Sequence, residues 1–230
     1  MSCLLNIETS TSVCSVAVSE NGKVLFEKVS FEGPSHAALL GVFVEEALSA
    51  MKGRKPDAIA VSSGPGSYTG LRIGASVAKG LCFGFGIPLI AVRTLDIMAA
   101  TAIEKEGGAA DRLYCAMLDA RRMEVYDAIY DASLKVVRET AADIVDMETY
   151  ASYLEKGKVC FFGNGAAKCK PVITSPNAIF IEDIHPLAVH MIPLSEQAFA
   201  AGRFEDTAYF EPFYLKEFQA TVAKNKVFSR

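Results

Sequence analysis

The sequence predicts an α/β protein built as two similar lobes, and three observations predict it. Half of the 230 residues (51%) are hydrophobic and mean hydropathy is +0.25, the opposite of the low-hydrophobicity, high-charge balance that keeps a chain disordered. Apolar residues switch repeatedly between a period of two and a period of three to four, the signatures of strand and helix. The order of three strands, then alternating helices and strands, is met once before about residue 105 and again after it, which implies lobes of residues 1–105 and 106–230. The repeat lies in the order of elements, not in the residues themselves.

In the first half, Leu4–Glu8 reads as a strand and Val13–Val18 as a second. Asn21-Gly22 tolerates the positive φ angles of a tight hairpin turn, and Val24–Ser30 returns as the third strand. Ser35 is placed to cap a helix in which Leu40, Phe43, Val44, Ala47, Leu48 and Met51 share one face, ended by Gly53 and Pro56. Ala58–Val61 is a short buried-type strand. A Gly-rich turn leads to a helix over about 71–84, Pro88–Val92 is another strand, and Thr94 caps a helix through about Glu104.

Gly107-Gly108 breaks the chain before the second half. Leu113–Leu118, Glu124–Tyr130 and Leu134–Arg138 read as strands. A helix over about 147–155, strands Val159–Phe162 and Ala178–Ile181, and a helical pattern over 187–201 interrupted by Pro193 complete it. The tail, Thr221–Arg230, has no pattern and is expected to fray.

Net charge is −4 and the pI about 5.5, without the basic stripe that tracks nucleic-acid phosphates. Direct RNA binding by the lone chain is therefore disfavoured. The six cysteines form no Cys-x-x-Cys pair and several sit in apolar runs as small hydrophobes. The start lacks a signal peptide's basic and apolar regions, and the longest uncharged apolar stretch, Gly80–Val92, falls short of the roughly 18 residues of a membrane span. A reducing cytosol fits these features.

Three stretches carry a resemblance: Leu5–Ser10, Ser63–Gly74 and Asp119–Tyr126. On them, over about residues 1–130, the chain resembles the TsaB (YeaZ) family, and the duplicated β-β-β-α-β-α order is that of the actin/Hsp70/sugar-kinase superfamily, a ribonuclease H-like lobe twice over. The resemblance implies a partner subunit that binds and activates a TsaD-like catalytic subunit in threonylcarbamoyl transfer to adenosine 37 of tRNA. It also implies a TsaE-like P-loop ATPase, a homodimer when the partner is absent, contact with tRNA only through the complex, and no membrane.

Each motif also has a plain reading. In the Glu8–Ser12 loop, Glu8, Thr9, Ser10 and Ser12 sit where relatives cradle a nucleotide phosphate, and small hydroxylic residues allow that approach; equally, they satisfy turn backbone groups. No cofactor is expected on the lone chain, with nucleotide confined to the complex. Only Gly163-Asn164-Gly165 offers itself as an adenosine motif. The Gly64–Gly70 segment is not a phosphate loop, since no Lys-Ser or Lys-Thr follows its last glycine. It is also one residue too long for a dinucleotide fingerprint and lacks the glycines of a nucleophile elbow.

Gly70, Gly74 and Ala78 recur every four residues, and Gly80 and Gly84 make a second such pair. A helical glycine costs about 1 kcal/mol relative to alanine, so a close neighbour is expected, either the chain's own sheet or a partner. The resemblance favours the partner and places the interface at Gly70, Leu71, Ile73, Gly74, Val77, Ala78, Leu81 and Phe85.

The catalytic relative, by the same resemblance, holds a metal on a His-x-x-x-His helix whose two positions here are Thr94 and Met98, which cannot replace an imidazole pair. Neither a metal site nor a catalytic residue is expected. His36, His185 and His190 read as structural, and the role of the Asp119–Arg122 turn is open. A small-molecule kinase or ATPase of the same fold, and a nucleotide-dependent oxidoreductase, stand as the alternatives.

Overall fold

The computed structural model describes residues 2–33 and 35–216; the tail expected to fray lies outside the described residues. The first sheet contains β1 (Cys3–Glu8), β2 (Cys14–Glu20), β3 (Lys23–Ser30), β4 (Ala58–Ser62) and β5 (Leu89–Val92) in the order β3-β2-β1-β4-β5. The first three run antiparallel; β4 and β5 join parallel to β1. Asn21 and Gly22 both take positive φ, 51° and 76°, as the hairpin demands.

Alternation along β1 divides the first core. Cys3, Leu5 and Ile7 face α1 (His36–Ala50) and α2 (Tyr68–Phe85), and Leu4 faces Ile97, Met191 and Ala198. The helix cap expected at Ser35 makes no side-chain cap bond; its hydroxyl donates to Gly33 O instead.

The second sheet repeats the first. Strands β6 (Arg112–Asp119), β7 (Glu124–Tyr130), β8 (Val136–Ile144), β9 (Lys158–Phe162) and β10 (Ala178–Ile181) lie in the order β10-β9-β6-β7-β8, again three antiparallel and two parallel. Its outer helices have shrunk to single turns, α4 (Ala151–Leu154) and α5 (Ala166–Cys169). Strand β8 starts later than the pattern suggests because the Asp131 carboxylate accepts from Ser133 and Lys135 N–H, bending Leu134 to φ 61°.

The strands of the first sheet all precede residue 105 and those of the second all follow it, but two helices pack across that division. Helix α3 (Thr94–Lys105) covers the inner face of the second sheet with Leu95, Met98, Ala99 and Ala102, while its Ile97 packs on the first. After a 3-10 turn at Val189–Met191, α6 (Ile192–Ala200) returns to the first sheet, with Pro193 in its opening turn where no N–H partner is lost. The chain then runs along β5, bonding Glu205 N to Leu89 O, burying Phe210 in the first core and reaching Ser63 O with Phe213 N. No helix among the described residues is long and apolar enough to cross a membrane. All six cysteines are buried and free.

Candidate functional site

Helix α2 and the loop beneath it form the most specialised region of the first lobe. Ser67 starts the helix one turn earlier than the apolar pattern alone indicates: its hydroxyl accepts from Gly70 N at 3.2 Å and its own N–H donates to Ser10 O at 2.6 Å. The cap therefore ties α2 to the β1–β2 loop. Thr9 completes the tie, its hydroxyl donating to Gly70 O at 2.8 Å.

This seating explains the first glycine series and corrects the interface placed on it. A Cβ at Gly66 would overlap Ser10 O, one at Gly70 would overlap Thr9 O, and one at Gly74 would overlap the Thr9 hydroxyl. Gly70, Leu71, Gly74 and Ala78 are buried against the chain's own loop and sheet, so the close neighbour is internal and these four present nothing to a partner. A four-residue spacing says that one face must be small; it does not say which face is covered.

The other expected interface residues, Ile73, Val77, Leu81 and Phe85, are half-buried, and the first three pack against the first core. They border a second small-residue face that points outward. Ser76, Gly80 and Gly84 recur at the four-residue step on that face, are exposed, and nothing stands within 4 Å of a Cβ built at either glycine. Phe83 beside them is 88% exposed. The Gly80/Gly84 spacing is visible in the sequence, whereas the exposure of Ser76 and Phe83 depends on which way the helix is turned.

The first half of the expected phosphate loop is packed inside the protein. Glu8, Thr9 and Ser10 are buried and Ser12 is exposed. Thr9 N lies 3.4 Å from Ser62 Oγ and Ser10 N donates to Glu8 Oε1. Two of the loop's backbone donors, those of Thr9 and Ser10, are thus engaged within the chain. Burial pushes the Glu8 carboxyl up to about 7, against the opposing pull of Ser10, whose N–H it accepts, and of Ser62 close by. Its second oxygen, the Ser10 hydroxyl and the Asn6 amide are buried without a partner among the described residues.

Thr94 and Met98 are buried on α3. The Met98 methyl lies where a side chain at Gly163 would begin, and Gly163 (φ 97°) and Gly165 press on the backbone of Met117 and Leu118. The glycines of Gly163-Asn164-Gly165 are therefore required by packing, and Asn164 accepts from Asp119 N at 2.9 Å. Among the described residues no three His, Cys, Asp or Glu side chains gather as a metal set. His36 bonds Thr11 O through Nε2, His190 bonds His185 O, and the His185 ring meets Phe31 edge-on.

The Asp119–Arg122 turn places Arg121 and Arg122 in left-handed backbone, φ 75° and 50°, with both side chains exposed. Asp119 accepts from Arg121 N at 2.9 Å and from Lys168 Nζ. In the second core, Asp127 accepts from Tyr150 and Arg138 and is pushed up to about 6, mainly by burial.

Two sheets of identical topology, stacked helices between them and a loop–helix unit at the first-lobe edge define an actin/Hsp70-like two-lobed protein. The family model for TsaD, tRNA N6-adenosine threonylcarbamoyltransferase, matches residues 31–224. The tRNA threonylcarbamoyladenosine biosynthesis protein TsaB of Escherichia coli (strain K12) is 33% identical over 225 residues, covering 93% of this chain and 94% of that protein. Its namesake from Bacillus subtilis (strain 168) is 30% identical over 177 residues, 74% of each chain. Among solved structures, YeaZ from Pseudomonas aeruginosa superposes with a TM-score of 0.76 at 29% identity, covering 94% of this chain and 100% of that one. A second structure, described as an uncharacterized protein with similarity to peptidase YEAZ from Pseudomonas aeruginosa, gives 0.78 at 28% identity, with the same coverage. The chain belongs to the TsaB (YeaZ) family.

Proposed function

We propose that the chain is a non-catalytic partner subunit in the biosynthesis of threonylcarbamoyladenosine in tRNA, and that it binds and activates a TsaD-like catalytic subunit through the outward face of α2. The observation that carries this reading is the open lane over Ser76, Gly80 and Gly84, walled by Ile73, Val77 and Leu81 and flanked by exposed Phe83. Bare backbone lets a second helix approach closely and gather dispersion contacts along its length, and an exposed aromatic is the usual anchor of such a contact.

The names of the relatives support the pathway. A tRNA N6-adenosine threonylcarbamoyltransferase from Solidesulfovibrio magneticus is 39% identical over 116 residues, 42% of this chain and 31% of that one. A partner built partly on the same pattern brings an equivalent helix, so two such helices pack face to face. When the partner is absent, the same face closes on a second copy of this chain. A TsaE-like ATPase and tRNA join through the complex, and nucleotide phosphate enters the Glu8–Ser12 loop only where the complex opens it.

Reconstitution tests the reading. The chain, the TsaD-like subunit and the TsaE-like ATPase are assayed for threonylcarbamoyl transfer to unmodified tRNA, singly and together. Transfer is expected only when this chain accompanies the catalytic subunit. Transfer or steady ATP turnover by the lone chain, or full activity without it, overturns the proposal.

A further inference from the structure

A band of cations and aromatic rings, most of them exposed, crosses from the first lobe to the second along the chain segment that follows α6. At its first-lobe end Tyr68 and Tyr214 meet with ring centroids 4.9 Å apart, and the Arg72 guanidinium lies 5.3 Å from the Tyr68 centroid while donating to its hydroxyl. One residue back, Phe213 lies under Arg93, which also approaches Glu139 at 3.8 Å. Lys216 then pairs with Glu124 at the start of β7, and Glu124 N donates to Arg121 O. The band ends on Arg121, Arg122 and Lys168.

Three features set this band apart from ordinary surface. Its six cations outnumber the four carboxylates beside them, Asp119, Glu124 and Glu139 in ion pairs and Glu211 near Tyr214, whereas the chain as a whole carries −4; an approaching polyanion is attracted here and repelled by the average surface. At the first-lobe end Arg72 and Arg93 lie against rings, an arrangement that stacks bases while neutralising the backbone. The Arg121–Arg122 turn is held in left-handed backbone, which non-glycine residues adopt only when their surroundings impose it. Asp119, Asn164 and Lys168 impose it, and the outcome is two adjacent guanidinium forks directed at solvent, the geometry suited to phosphate oxygens.

We infer that this band is an RNA-contacting surface, which takes the phosphates and unstacked bases of the tRNA held by the assembled complex. This rests on the subunit role proposed above. It deepens that role, because Tyr68 and Arg72 stand in the first two turns of α2 and so place the band beside the face proposed to bind the partner. Four nearby carboxylates and the net acidity keep the lone chain a weak RNA binder; the band adds to contacts the catalytic subunit already makes.

The test uses the complex of this chain with the TsaD-like subunit and an unmodified tRNA transcript. Association of the two proteins is measured first, without RNA, by sedimentation; tRNA affinity is then measured across a salt series. For Arg121→Gln with Arg122→Gln, protein association and melting temperature are expected to stay at wild-type values. The tRNA affinity should fall about three- to tenfold, and the slope of log affinity against log salt should shrink by about 1 to 2, one per lost phosphate contact. Arg93→Gln should act the same way with a smaller slope change. An intact complex with unchanged tRNA affinity and slope sinks the inference. Loss of protein association in parallel with RNA sinks it too, and makes the band a protein contact. If the wild-type chain fails to associate at all, the subunit role falls, and the inference with it.

Discussion

Two glycines ten residues apart on α2 are predicted to respond to the same substitution in opposite directions. Gly70→Ala sets a methyl against Thr9 O, a backbone atom. Thr9 cannot retreat, because Ser10 N is held by Glu8 and Ser10 O by Ser67 N. Overpacking of this kind typically costs about 1–3 kcal/mol, and disturbing the Thr9–Gly70 hydrogen bond adds about 1. The gain in helix propensity, at most about 1 kcal/mol, offsets part of it. A net loss near 2 kcal/mol lowers the melting temperature by roughly 4–8 °C in a chain of this size. Gly80→Ala meets nothing within 4 Å, so only the propensity gain remains, and melting should rise by roughly 2–4 °C. Thermal unfolding of both variants by circular dichroism reads the pair. A Gly70→Ala protein as stable as wild type, or a Gly80→Ala protein less stable, refutes the assignment of inner and outer faces.

Glu8→Gln is expected to flatten the acid side of the stability profile. The folded-state carboxyl is raised from 4.5 to about 7, so its contribution is greatest below pH 4.5 and is lost as pH rises towards 7, by on the order of 3 kcal/mol. Urea unfolding at several pH values should show that slope in wild type and a smaller one in the variant, with Asp127, raised to about 6, supplying the remainder. An unchanged slope counts against the burial of Glu8. Tyr150→Phe removes a donor from Asp127, which keeps Arg138 at 3.0 Å; a loss of about 1–3 kcal/mol is expected, and a neutral result would mean that water replaces the hydroxyl. Gly64→Ala, at φ 99° with Phe213 O only 2.7 Å from the new carbon, should lower stability by loosening the segment after α6; unaltered protease resistance of residues 203–216 would contradict that.

What the sequence discloses and conceals has physical causes. The hairpins and central strands were legible because turn residues and alternation are local: Asn21-Gly22 announces its own backbone. The duplication was legible for the same reason. The direction of the α2 glycines was not, since Gly70/Gly74 and Gly80/Gly84 present the same spacing on different faces and only tertiary packing distinguishes them. The return of residues 203–213 to the first lobe was equally hidden. Phe204, Phe210 and Phe213 follow no period, and their positions depend on long-range bonds such as Phe213 N to Ser63 O. The burial of Glu8, Thr9 and Ser10 was hidden too, because a hydroxyl that serves its own turn and one that awaits a phosphate read alike.

The central claim, that the outward face of α2 is where the catalytic subunit docks, is tested most directly by sedimentation of Phe83→Asp mixed with the TsaD-like subunit. Phe83 is 88% exposed, so the change should leave the melting temperature of the lone chain within about 1–2 °C of wild type, as surface substitutions usually do. The account predicts that the variant sediments as a separate species while wild type co-sediments with its partner. Co-sedimentation of Phe83→Asp with undiminished affinity would contradict it.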